Sequence, residues 1–416
     1  MLKADCRFSL TMKTIRTLFL ALLCAAGVQA QTWDGTVATS YAGGDGSKES
    51  PYLISNGSEL AKLAEDVSTI ANFSKGKYFK LTADIVMNTG VFDCVVPATR
   101  QDKEDLPKDN DISMFRLTPR IGTYNGDEDY MPFQGTFDGD GHTISGLIDA
   151  LYSGKNYDGL FRMVENGVVK NLGLSDCYSL GNSYCGGIVG RLVNSRLVNC
   201  FIVHSYVEQG GSYGGALVGR CQGESYILNC YADCTIYGKN DMGGLVGRIG
   251  NGTETPSLID NCFSYVNLRV KRSNNGAISS ELSPGAAVNK CYYIRLGEAK
   301  AAIVEGKVNG RLTDTEELTA EQFMADELVE KLNAEAKTLP GAARWKKGEK
   351  HPVLSFTEFS SDDLPVSGIR SVTTAAPSSR CYNLSGVAIT TARHHGLTIV
   401  RTTDANGNVV VLKVMK

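Results

Sequence analysis

Between residues 186 and 293 apolar and polar positions recur in blocks of nearly constant length. Each block opens on a glycine-rich phrase: Gly-Gly-Ile-Val-Gly-Arg at 186–191, Gly-Gly-Ala-Leu-Val-Gly-Arg at 214–220, and Gly-Gly-Leu-Val-Gly-Arg at 243–248. Aligned on the second glycine of each pair, the spacings are 28 (Gly187 to Gly215) and 29 (Gly215 to Gly244). A second phrase keeps step: Asn171, Asn199, Asn229, Asn261 and Asn289 hold matching places, and Cys200, Cys230 and Cys262 follow directly on three of them. One block reads as three short strands. The glycine phrase is the first, a strand ending on Asn-Cys-(Phe/Tyr), such as Leu197–Phe201, is the second, and Ile202–Val207 is the third. Three strands in about 28–30 residues make one coil of a right-handed parallel β-solenoid, in which each unit stacks only on its neighbours. Helical repeats of this length are disfavoured by the Gly-Gly pairs and the Val/Ile/Tyr enrichment. A propeller blade needs about 40 residues.

The pattern changes on both sides of the array. Upstream, Pro51–Ile54 and Tyr78–Ile85 read as strands. Ser58 caps a predicted helix over Glu59–Val67, with Leu60, Leu63, Ala64 and Val67 on one apolar stripe. Downstream, residues 313–337 turn helical, with Thr319 and Gln322 as a capping box and Phe323, Leu328, Val329 and Leu332 on the apolar face. Both helices are predicted to cover the open ends of the solenoid and shield its apolar interior. The resulting division is a signal peptide over 1–30, an N-terminal capping region over 31–135 and the repeats over 136–296. A C-terminal capping segment over 297–359, a linker over 360–380 and a small β module over 381–416 follow, the last built around an Asn406-Gly407 hairpin turn.

Composition narrows the setting. A basic stretch at Met12–Arg16, a short apolar run from Leu18 to Ala26 and the small-residue site Val28-Gln29-Ala30 make an export signal, leaving Gln31 first. The formal net charge of −3 offers nothing to nucleic acid, and no later segment is apolar enough to span a membrane as a helix. Of the 12 cysteines, Cys6 and Cys24 leave with the signal. Stacked residues lie about 4.8 Å apart with parallel Cα–Cβ bonds, whereas a disulfide needs converging Cβ atoms about 3.8 Å apart. Cys200, Cys230 and Cys262 therefore read as a column of small buried hydrophobes. Cys177, Cys185, Cys221 and Cys234, less regular, keep pairing open. No cysteine–histidine spacing suits zinc, so neither metal nor cofactor is expected.

The glycine phrase followed by Asn-Cys-(Tyr/Phe) resembles the GLUG-motif repeat of bacterial surface proteins. Pro132–Leu147 is similar to the lead-in that precedes such repeats, and the likeness spans about residues 50–355. Tyr382–Gly386 and the terminal Val-Leu-Lys-Val-Met-Lys are similar to C-terminal sorting tails of exported Bacteroidota proteins. What the resemblance implies is an exported solenoid, extracellular or displayed on the outer-membrane surface and adhesin-like. Larger relatives of this kind carry a metallopeptidase, but no His-Glu-x-x-His occurs here.

Three sets of residues carry candidate chemistry. Asp138 and Asp140, two apart, would face one side of a strand about 6–7 Å apart. With His142 they form an acid/base group suited to sugar cleavage; the alternative is a glycine-rich turn in which aspartate binds its own backbone. Arg191, Arg220 and Arg248 stack in a column that attracts an anionic glycan or requires carboxylate neighbours. Phe201, Tyr231, Phe263 and Tyr292 turn outward if the cysteines before them turn inward, forming a platform for sugar rings unless loops or another segment cover them. The preferred reading is a non-enzymatic, exported interaction or adhesion protein presenting a solenoid face to a glycan or a host or bacterial surface protein. The rival is a polysaccharide hydrolase or lyase.

Overall fold

The structure is a computed structural model describing residues 31–95, 113–126, 128–149, 156–250, 256–270 and 274–357, together with the backbone of four C-terminal strands. The signal sequence and residues 404–408, with Asn406-Gly407, lie outside the described residues.

The repeats stack into a right-handed parallel β-solenoid of about 7 turns. One coil runs through Val189–Val193, Arg196–Val198 and Phe201–Gln209; the next through Val218–Gln222, Tyr226–Leu228 and Tyr231–Gly238. Each strand pairs with its equivalent above and below, giving parallel sheets of six, nine and twelve strands. The core is built from inward columns at strict register. In the nine-strand sheet that column is Phe79, Phe137, Val169, Leu197, Ile227, Ile259 and Val288, each essentially inaccessible to water. Side chains alternate across a strand, so the residues on either side of this column face outward.

The register corrects the alignment read from the glycines. Gly186 pairs with Gly215 and Gly215 with Gly243, so Ala216 stands where the other units have their second glycine. These glycines do not adopt positive φ. The closing glycine of the phrase lies within a strand. A Cβ on Gly190, Gly219 or Gly247 would come within 2.4 Å of the backbone of Tyr157, Tyr184 or Tyr213, which packs there from the preceding coil. The left-handed corner falls to asparagine instead: Asn171, Asn199, Asn229 and Asn261 all have φ between 53° and 57°, a region Asn tolerates through local hydrogen bonding. The fifth corner differs from expectation. Asn289 pairs with Asp260, one place early, and Lys290 takes the corner at φ 45°.

Helix α1, Gly57–Thr69, covers the N-terminal end. Its N-cap is Asn56, two residues ahead of the predicted Ser58, with the Asn56 side chain accepting from the Glu59 amide. Leu60, Leu63, Ala64 and Val67 are buried in the same core as the inward columns. After the short helix α2, Val91–Val95, and the array come α3, Ala320–Phe323, with the Thr319/Gln322 capping box formed, and α4, Asp326–Ala336. This C-terminal segment does not close the far end. From Leu318 to Phe356 it packs along the solenoid's flank as a strap, in a second apolar cluster with outward residues of successive coils. The reason is apolar area: the flank offers a continuous aromatic strip, whereas Leu312 of the terminal inward column stays 40% exposed. The C-terminal module is an antiparallel sheet ordered Ala388–Ile389, Arg380–Tyr382, Leu397–Thr403, Val409–Met415.

Candidate functional site

Two outward columns of the nine-strand sheet meet the strap. One runs Tyr78, Thr136, Val168, Arg196, Tyr226, Leu258; the other runs Lys80, Asp138, Lys170, Val198, Leu228, Asp260. Between them and strap residues Thr338–Ala343, with Phe356 and Thr357 at one end, lies an elongated groove of about 370 Å³. Its floor is apolar, from Val168, Val198 and Leu228. Its charged groups are Asp138, Asp140, Lys170 and Arg196, and the Arg196 guanidinium sits 5.6 Å from the centre of the Tyr226 ring. Apolar lining with a few convergent polar groups is the general form of a ligand site.

Asp138 and Asp140 thus lie at the groove, yet they do not form an acid/base pair. Asp138 accepts from the Asp140 amide at 2.9 Å, from Asn171 Nδ2 at 2.9 Å and from Lys170 Nζ at 2.8 Å. Burial alone would raise its pKa, but these donors outweigh burial and hold it below the ordinary carboxylate value. Asp140 pairs with Lys80 at 2.9 Å, and His142 Nδ1 is 3.2 Å from Asp84 Oδ1 of the preceding coil. Each of the three has its own partner. The arrangement is the glycine-rich Asx turn, with both oxygens of Asp138 engaged by donors. Among the described residues no three metal-ligating side chains converge.

The aromatic column is present but is not the open platform expected. Phe201, Tyr231, Phe263 and Tyr292 are in register, with ring centres 5.0 and 4.9 Å apart over the first three. Tyr231, Phe263 and Tyr292 are buried, because the strap lies over them. Trp345 stands 5.7 Å from Tyr231 and 5.5 Å from Phe263, Phe323 covers Phe263, and Phe356 sits beside half-buried Phe201. An exposed strip of stacked aromatics is costly in water, and the chain covers it with its own C-terminal segment.

The corner asparagines fasten the strap. Along the axis, Asn171 donates to Asp138, Asn199 to Asn171, Asn229 to Asn199 and Asn261 to Asn229, all between 2.7 and 2.9 Å. The second amide hydrogen of Asn199, Asn229 and Asn261 goes to the strap carbonyls of Gly341, Ala343 and Leu332. The Ala343 amide and the Trp345 indole return bonds to Asn199 and Asn229. Asp138 is therefore the terminal acceptor of a hydrogen-bonded amide ladder. The cysteines behind it are thiols: the nine described are unpaired, eight of them buried. Burial pushes Cys177 and Cys221 up to about 12, and the Cys200 and Cys230 amides donate to the sulfur of the next coil.

The arginine column is where expected. Arg191, Arg220 and Arg248 are in register on the six-strand sheet, half-buried. Like charges about 4.8 Å apart repel by about 1 kcal/mol at aqueous screening, and by several times that at lower dielectric. Each guanidinium is offset by a tyrosine ring: Arg191 lies 5.3 Å from Tyr157, Arg220 5.1 Å from Tyr184 and Arg248 5.3 Å from Tyr213. Arg191 also donates to Gln222, and Arg248 pairs with Glu281 at 2.7 Å.

Lys170, Arg196 and Tyr226 escaped sequence reading, although the phase marks two of them: Arg196 and Tyr226 stand three places before Asn199 and Asn229. The tyrosines were legible in the same way, Tyr184 and Tyr213 each standing two places before the paired glycine. The strap's return path left no local signal.

Fold and site define an elongated β-solenoid with a groove under a docked strap. No family model matches the chain. Halomucin of Haloquadratum walsbyi is 31% identical over 172 residues, 40% of this chain. The match spans only 2% of that protein's length. A crystal structure from Bacteroides ovatus, of a protein provisionally described as an immunoglobulin A1 protease, is similar at a TM-score of 0.47 and 20% identity. That similarity covers 76% of this chain and 96% of the other.

Proposed function

We propose that this chain is a non-catalytic, exported interaction protein of the GLUG-like adhesin type, holding an extended glycan or surface-protein segment in the groove between the nine-strand sheet and the strap. The observation that carries this reading is the state of the groove's carboxylates. Asp138 is bonded to Lys170, Asn171 and the Asp140 amide, and Asp140 is bonded to Lys80. Hydrolysis of a glycoside needs one carboxyl poised as acid and another free as base or nucleophile, whereas the donors around Asp138 favour its ionised form and occupy both of its oxygens. Lys170, Arg196 and Tyr226 beside an apolar floor supply contact and orientation without a reacting group. The N-terminal signal-like segment supports export, and the C-terminal tail supports retention at the outer surface.

A glycan array, followed by product analysis on every bound glycan, tests the reading. Binding without fragment release is expected, and Lys170→Ala or Arg196→Ala abolishes it while the melting temperature holds. Sugar fragments that disappear in Asp138→Asn would overturn it in favour of the polysaccharide-cleaving alternative.

A further inference from the structure

On another side of the solenoid, tyrosine and arginine columns run together, and the tyrosines sit in costly backbone. Tyr157, Tyr184 and Tyr213 have φ of 66°, 59° and 70°. Bulky residues rarely adopt this left-handed region, and when they hold it the surrounding structure has fixed it for a reason. Asp241 takes the same place in the next coil at φ 54° and pairs with Lys307. The corner conformation is thus constant while the side chain is tyrosine in three successive coils. Their rings stack at 5.1 and 5.3 Å, so ring faces are spent on one another. Tyr157 is buried, so what remains outward is the edges of Tyr184 and Tyr213 and the guanidiniums beside them.

The three guanidiniums are not equivalent. Arg191 is bonded to Gln222 and Arg248 to Glu281. Among the described residues Arg220, between them, has no carboxylate within ion-pairing distance; its buried Nε, like that of Arg248, lacks a hydrogen-bond partner. A guanidinium set beside a ring, flanked by like charges and short of acceptors is placed to take an oxyanion through its terminal Nη–H donors. Neighbouring coils repeat the geometry about every 4.8 Å along the axis.

From this we infer that the Arg191–Arg220–Arg248 column with Tyr157, Tyr184 and Tyr213 is a second binding site, centred on Arg220, for carboxylate or sulfate groups of a linear anionic glycan lying along the solenoid axis. It rests on the interaction reading only in expecting an extracellular ligand, and it uses none of the groove's residues. Single-stranded nucleic acid fits less well, because the ring faces that bases would stack on are occupied.

Isothermal titration with heparin as the sulfated probe, polygalacturonate as the carboxylated probe and dextran as the neutral control tests it. The expected result is binding of at least one anionic probe, weakened by rising salt, with no binding of dextran. Arg220→Ala weakens that binding at least about tenfold. Arg220→Lys, which keeps charge but loses the planar fork, restores only part of it. Lys170→Ala leaves it unchanged, so failure of the groove and failure of this site read out separately. Should Arg220→Ala misfold, Arg220→Gln with the same titration replaces it. The inference is overturned if neither anionic probe binds, if Arg220 variants that melt normally bind like the parent, or if oligo-dT binds more tightly than both glycans.

Discussion

Asn229 shows how much of this molecule is decided at single corners. Its φ of 57° is one that most side chains resist. Its amide donates to Asn199 and Ala343, and its carbonyl accepts from Asn261 and the Trp345 indole. Asn229→Ala removes all four bonds in a fully buried site and keeps the backbone penalty. With buried partners left unsatisfied, the expected loss is about 3–5 kcal/mol, read by urea denaturation. Asn229→Gly relieves only the backbone and should recover about 1 kcal/mol of that. The sulfur column makes a second prediction at this scale. Of the described cysteines only Cys94 is exposed. In native protein it should react with a thiol reagent while the eight buried ones wait for unfolding, and reductant should leave the melting temperature unchanged. Sequence reading reached this level well, because inward or outward facing follows from period-2 alternation. It erred at Asn289, where a one-residue insertion moved the corner to Lys290.

At the level of elements, the strap is the decisive piece. Its apolar side chains, Trp345, Leu328, Leu332 and Leu354 among them, complete a core the solenoid flank cannot close alone, each contributing about 1.5–3 kcal/mol on full burial. Beside the Lys290–Glu335 ion pair, Asp233 on the twelve-strand sheet is a second ionic anchor of the strap. It pairs with Lys350 at 2.8 Å and stands 3.2 Å from His351 Nε2, while His351 rests on Tyr231, Phe263 and Tyr265. Burial would raise the Asp233 pKa, but bonds to His351 and Lys350 outweigh it and the carboxyl is held low. A depressed folded-state pKa contributes stability that is present above the unfolded value, about 3.9, and lost as pH falls through the folded one. Acid should therefore release the strap, read as a shift in Trp345 emission in a Trp33→Phe background. Asp233→Asn should flatten that pH dependence. The helices of the strap were visible from their capping box and apolar face. Their destination was not, because local periodicity tells which face of a helix is apolar and nothing of which distant surface will meet it. The same gap misled the reading of Phe201, Tyr231, Phe263 and Tyr292: alternation turned them outward correctly, but a segment later in the chain, from Leu318 to Phe356, covers them.

On the scale of the whole molecule, the repeated glycines, asparagines, cysteines and strap-covered aromatics hold the scaffold, while the groove is lined by residues that change from coil to coil. The glycine phrase admits the neighbouring coil, the asparagines and aromatics seat the strap, and the cysteines fill the core. Groove residues Lys170, Arg196 and Tyr226 are replaced by other side chains at the equivalent places of neighbouring coils. This division is the central claim, and one comparison tests it most directly. Tyr231→Leu and Arg196→Ala are applied to the same glycan array, each with its melting temperature recorded. The account predicts that Tyr231→Leu melts lower yet keeps its bound glycans at temperatures where it remains folded, and that Arg196→Ala melts like the parent and loses them. Loss of binding in folded Tyr231→Leu, with Arg196→Ala unaffected, would contradict it.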